Sequence, residues 1–183
     1  MFSRVEEVSF LIASQFLLMT ITCPPVYIWK RAQILVAETW AAFYPSDAAA
    51  PHPFFPSGVQ QLTMFADYRV PQILNYLMII KYPEDLVTTL KNHTLLSSGC
   101  REEMSIRAAS ILAVEAIRNE INDSEKGDSI DGLNGHGENE ISSVLIDFYL
   151  WDLAKSIEAE EQSIDGIQTG EMLPPHRTRS IWY

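Results

Sequence analysis

An all-α fold is predicted for this chain by three observations. Apolar residues recur at three- and four-residue spacing through five separate stretches, strand-like alternation is nearly absent, and Pro- or Gly-containing intervals separate the stretches. With 183 residues and 47% hydrophobic content, the chain can bury one sizeable core.

Charge narrows the class of partner. The formal net charge is -11, and between Glu115 and Asp165 there are 14 acidic and 3 basic residues, so the remainder is balanced. Duplex DNA or RNA needs clustered Lys and Arg and is not an expected partner, whereas a single nucleotide could still sit in a local pocket. Cys23 and Cys100 show no CxxC spacing, and His52, His93, His136 and His176 lack the i, i+4 spacing of a helical metal pair. Neither a disulfide framework nor a metal site is expected, and no organic cofactor is implied.

Taken in order, residues 1–29 form an atypical N-terminal segment. Its run from Val8 to Thr22 is largely apolar but too short for a membrane span. Glu6 and Glu7 stand where an export signal wants positive charge, and Cys23-Pro24-Pro25 is a poor cleavage site. No membrane association is expected, and the setting is read as cytoplasmic. Lys30 to Phe43 is predicted helical, with Ile34, Leu35, Ala37, Trp40 and Ala41 on a core-facing side. Pro45 to Gly58 is a loop in which His52 is expected to be exposed.

Met64-Phe65-Ala66-Asp67-Tyr68-Arg69-Val70-Pro71-Gln72 is the most informative stretch. Burying Asp67 in this company would cost several kcal/mol unless Arg69, a backbone donor or a bound ligand compensates. Two readings stand. Asp67 caps a helix beginning near Val70-Pro71, or it is a functional carboxylate.

Beyond it, 71–81 reads as a buried helix ended before Pro83, and 83–91 as a short helix with acids near its positive end. Glu102 to Ile121 is a long helix on which Glu103 and Arg107 form an i, i+4 pair expected at the surface. Residues 122–140, glycine-rich and acidic, are expected to be a flexible loop. Its Asp128, Asp131 and Asn134 lack the spacing of a calcium loop. Residues 141–161 form a helix apolar almost all round in its first half, interrupted by Asp147 and Asp152. At about 100° per residue these two lie roughly 140° apart and can border one groove from two sides, with Phe148 and Tyr149 as an aromatic wall. Each could equally reach solvent. The tail from Pro174 to Tyr183 ends on aromatics, which suggests docking on the core.

KRAQILVAETW, MFADYRVPQIL, EEMSIRAASILAVE, LIDFYLWD and HRTRSIWY, in this order, resemble the C-terminal half of the queuosine salvage protein family, the queuosine 5'-phosphate N-glycosylases. The resemblance covers about residues 30–183, read as one domain with 122–140 as an insertion, and leaves out 1–29. It implies a helical fold similar to helix-hairpin-helix DNA glycosylases, incomplete at its N-terminal side. It also implies hydrolysis of queuosine 5'-phosphate, a small-molecule substrate, to queuine and ribose 5-phosphate. Such cleavage passes through an oxocarbenium-like ribosyl species that a carboxylate stabilises or attacks. The resemblance gives that role to Asp67, stacking on the deazaguanine plane to Phe65, and contacts to the base or its ammonium to Asp147 and Asp152, with Phe148 lining the pocket. Lys30, Arg31, Arg177 and Arg179 are possible phosphate partners that spacing does not rank. The competing reading is a truncated, non-catalytic helical interaction module.

Overall fold

The structure is a computed structural model that describes residues 26–47, 50–55, 59–128, 140–160 and 166–180, with side chains of 125–128 and 160 excepted. It is helix-dominated. The order is α1 (Lys30–Ala42), a 3-10 turn (Val59–Gln61), α2 (Arg69–Tyr76), α3 (Glu84–Lys91), β1 (Leu95–Leu96), α4 (Arg101–Asp128), α5 (Ser143–Glu160) and β2 (Arg177–Thr178).

The short helix α2 is the centre of the packing. Val70, Ile73 and Leu74, at i, i+3 and i+4, are fully buried and meet Val114 of α4 and Ile146, Leu150 and Ala154 of α5. Helices α4 and α5 also touch each other, so α2 is held between two longer partners. A second cluster, Leu86, Leu90, Leu96, Ile106 and Leu173, ties α3 and the C-terminal segment to α4. That segment is fastened at three further points. Gln72 Nε2 donates to the Leu173 carbonyl at 2.9 Å, Gly170 N–H to the Tyr76 carbonyl at 2.7 Å, and β2 pairs in parallel with β1, Leu95 opposite Arg177.

Several boundaries differ from the sequence reading for local reasons. Helix α2 ends at Tyr76 although apolar periodicity continues to Ile80, because Met78 turns left-handed at φ 59° and Ile79 N–H bonds back to the Leu74 carbonyl. Helix α4 runs on to Asp128, so the first part of the predicted acidic loop is helical; 129–139 lie outside the described residues. The same holds for the apolar run before Val26 and for the terminal Ile181, Trp182 and Tyr183.

Three expectations are corrected. Of the predicted apolar face of α1 only Ala37 is buried, while Leu35 is 67% exposed. His52 is buried, not exposed. Its Nδ1 accepts the N–H groups of Phe54 (3.2 Å) and Phe55 (3.0 Å), which leaves Nε2 to donate to the Trp40 carbonyl at 2.9 Å. Glu103 and Arg107 are likewise buried, at 1% and 6% exposure, because Arg107 reaches inward to main chain. Among the described residues no helix is long and apolar enough to cross a membrane.

Candidate functional site

The site is built on the turn from Met64 to Val70. Ala66 adopts φ 44°, a left-handed conformation unusual for a residue with a Cβ, and thereby turns its carbonyl toward α4. Arg107 Nε donates to that carbonyl at 3.0 Å and Arg107 Nη1 to Glu103 Oε1 at 2.9 Å, while Glu103 Oε2 accepts the Gly99 N–H at 3.0 Å. A strained turn is thus clamped by a buried ion pair immediately before Asp67.

Asp67 is 6% exposed. Its Oδ1 accepts the N–H groups of Arg69 at 2.9 Å and Val70 at 3.0 Å, which starts α2, and its Oδ2 accepts Trp151 Nε1–H at 2.9 Å. One oxygen caps the helix and the other faces α5. The compensation therefore comes from backbone and indole N–H groups. The Arg69 guanidinium instead pairs with Glu158 and lies over the Trp151 ring, 5.4 Å from its centroid.

Asp147 is 3% exposed, and its Oδ2 accepts the Phe65 N–H at 2.9 Å. Burial pushes its carboxyl up to about 7; the Phe65 N–H opposes this, the charge of Asp67 adds to it and that of Lys30 offsets it. Lys30, the first residue of α1, is itself lowered by burial while Asp67 pulls the other way. Lys30, Asp67 and Asp147 therefore interact electrostatically with one another. His176 on the C-terminal segment, 4% exposed, is pushed down to about 4 by burial, with Arg107 and Lys30 adding to the effect. The two aspartates share one neighbourhood yet have unlike partners, the arrangement that separates acid from base roles.

Phe65 and Phe148 meet with ring centroids 5.8 Å apart and tilted by 58°. Phe65 is 4% exposed, so Phe148 is the ring that reaches the surface. Asp152 does not join this group. Its side chain is 78% exposed and lies 3.9 Å from Lys155. The residue that α5 presents in its place is Trp151. Asp147 and Trp151 are four apart and so share a helix face, which the i, i+4 rule could have picked out. Lys30 and Tyr68 line a cavity of about 730 Å³ with Pro175 to Ser180, and Lys30 and Ser180 also line, with Arg31, a second one of about 560 Å³. Among the described residues no group of three or more His, Cys, Asp or Glu gathers as a metal site would.

The family profile described as queuosine salvage protein matches residues 19–183, beginning ahead of Lys30, where the sequence motifs began. A mouse protein named queuosine 5'-phosphate N-glycosylase/hydrolase is 38% identical over 161 residues, covering 86% of this chain and 41% of that protein. Proteins of the same name from Nematostella vectensis and Sphaerobacter thermophilus are 38% and 35% identical, each over 86% of this chain and over 42% and 40% of their own lengths. The chain thus spans about two fifths of the length of the curated relatives it matches.

Proposed function

Since the chain belongs to the queuosine salvage protein family, we propose that its buried aspartates serve hydrolysis of the N-glycosidic bond of queuosine 5'-phosphate, releasing queuine. The observation that carries this reading is the pairing of Asp67 with Asp147, two interacting carboxyl groups in unlike surroundings. As the glycosidic bond lengthens, positive charge grows on the ribose, and Asp67, held by three N–H donors, supplies the facing negative charge without having to reorient. Each of its oxygens has two lone pairs, so the single indole bond to Oδ2 leaves one directed elsewhere.

Asp147, titrating near neutrality, serves the departing base. It donates its proton to the leaving base, and water adds to the anomeric carbon and returns a proton to the carboxylate. In this reading Asp147 takes the contact that the sequence divided between it and Asp152. Phe148, backed by Phe65, offers a π-face to the deazaguanine. The substrate is a soluble small molecule acted on in the cytoplasm, with no nucleic-acid polymer as partner. The helical packing of α2 between α4 and α5 is compatible with a likeness to helix-hairpin-helix glycosylases.

The test is incubation of the purified chain with queuosine 5'-phosphate, with free queuine followed by chromatography. Release is expected, together with its collapse in Asp67→Asn. Undiminished release by that variant would sink the assignment. No release from a folded chain would return the reading to a non-catalytic helical module.

A further inference from the structure

The main chain of Ala66 is held at both of its polar groups. Its carbonyl accepts Arg107 Nε–H at 3.0 Å, and its N–H meets the Met64 thioether, 3.0 Å from Sδ. On α4 the residues on the other side of these contacts stand at 103, 107 and 110, spacings of four and three that share one helix face. Arg107 Nη1 pairs with Glu103 Oε1 at 2.9 Å, and Ser110 Oγ donates to the Arg107 carbonyl at 2.8 Å while lying 3.7 Å from Met64 Sδ. Met64, Glu103, Arg107 and Ser110 are all buried.

Stability alone is a poor explanation for an ion pair at this place. Well-packed apolar side chains of the same volume commonly serve a buried position as well or better. What Arg107 supplies and a methionine would not is direction. Its guanidinium donates Nε–H to the Ala66 carbonyl and Nη1–H to Glu103 from one rigid plane, so seating one bond fixes the other. The Ala66 carbonyl and the Asp67 N–H in turn belong to one planar peptide group. The bond to Arg107 thus sets the plane from which Asp67 departs, and it does so at a residue held left-handed at φ 44°.

We propose that Arg107, seated by Glu103 and flanked by Ser110, is a positioning residue for base release, acting through the Ala66 main chain to aim the Asp67 carboxylate. The proposal rests on the glycosidase reading of Asp67 and extends it to α4, which has no side chain among the proposed substrate contacts. Asp67 leaves little slack for a tilted peptide plane. Its Oδ1 is committed to the N–H groups of Arg69 and Val70 and its Oδ2 to the Trp151 indole, so a rotation ahead of it pulls the carboxylate from at least one donor. A displacement of about 1 Å at a reacting group can cost about a hundredfold in rate. Lysine at 107 would keep a cation beside Glu103 but, as a single ammonium on a flexible stem, would lose the fixed angle between the two bonds.

Arg107→Lys in the full chain is therefore the diagnostic variant, with circular dichroism and denaturant unfolding to confirm that it folds. With queuosine 5'-phosphate as substrate, kcat should fall about ten- to hundredfold while KM stays within about threefold of the wild type. Ala66→Gly releases the same constraint with the ion pair left in place, so the double variant should be no slower than the slower of its parents. A second readout does not depend on turnover. The Trp151 indole N–H resonance, assigned by its loss in Trp151→Phe, reports the bond to Asp67 and should move in Arg107→Lys and in Ala66→Gly in the direction it moves in Asp67→Asn. Wild-type kcat in either single variant, losses that multiply in the double one, or an indole resonance that stays in place would each overturn the positioning role. Should the wild type release no base, the glycosidase reading falls and the indole resonance alone decides whether Arg107 aims Asp67.

Discussion

Trp151 Nε1 donates to Asp67 Oδ2 at 2.9 Å across 84 residues of sequence. This bond couples the start of α2 to the middle of α5 and gives Asp67 a fixed orientation that its helix-capping bonds alone would leave to one oxygen. Arg69 and Lys155 both lie over the Trp151 ring, so the indole is itself held in place.

Trp151→Phe removes the N–H together with the five-membered half of the indole. An aromatic ring remains for packing and for the two cations, while a buried carboxylate oxygen loses its donor. The expected cost is about 1–2 kcal/mol in denaturant unfolding, because two backbone donors remain on Oδ1. If base release requires the orientation, it should fall by roughly tenfold more than stability explains. Unaltered stability and activity would show that the indole bond is dispensable.

Asp147 and His176 predict opposing pH effects on stability. Asp147 titrates near 7 when folded against 3.8 ordinarily, so the unfolded chain loses this proton first and stability falls as pH rises between those values. His176 titrates near 4 when folded against 6.5 ordinarily, so the unfolded chain takes up a proton first as pH falls, and stability rises with pH over that window. The effects are worth about 4 kcal/mol for Asp147 and about 3 kcal/mol for His176 in full, and because the windows nearly coincide the two largely cancel in the wild type. Asp147→Asn should unmask stability that climbs from about pH 4 to 6.5, and His176→Gln stability that declines over the same range. Thermal melts at several pH values distinguish these slopes, and parallel profiles in all three proteins would refute the assignment.

The sequence made the helices and Asp67 legible for the same reason: apolar spacing and an acid in apolar company are local signals. Asp147 was legible too, as an interruption in an apolar helix. Asp152 carried the same signal and proved exposed, because a helix nearly apolar all round does not announce which of two acids points inward. The expected exposure of Glu103 and Arg107 failed because an i, i+4 pair reads identically whether it is solvated or buried. What buries it is the left-handed Ala66, a backbone feature without a sequence signature. The β1–β2 pairing joins Leu95–Leu96 to Arg177–Thr178, two residues on each side, too short to show alternation.

The Glu103–Arg107 pair should therefore behave as a buried one. Arg107→Met leaves Glu103 charged at 1% exposure and strips the Ala66 carbonyl of its donor, for an expected loss of about 3–5 kcal/mol. Replacing both partners with Met should recover part of that loss, since no uncompensated charge then remains. A double variant no more stable than Arg107→Met would show that the Ala66 carbonyl, and not the stranded carboxylate, dominates.

Ala66 and His93 are both non-glycine residues with positive φ, at 44° and 53°, yet glycine should act differently at the two. A left-handed residue with a Cβ bears roughly 1–2 kcal/mol of strain, and glycine removes it at a cost of about 0.5–1 kcal/mol in extra unfolded-state freedom. His93 is exposed just past the end of α3, where the left-handed position favours glycine, so His93→Gly should raise stability by about 0.5–1 kcal/mol. Ala66 is fully buried, so Ala66→Gly also removes a packed methyl worth about 0.8 kcal/mol and should leave stability nearly unchanged. Its effect belongs on function instead. The extra freedom is introduced at the residue next to Asp67, and base release should drop while unfolding curves overlay those of the wild type. A gain in stability at Ala66 equal to that at His93, with activity retained, would mean that the turn is held by its neighbours and not by the conformation of Ala66 itself.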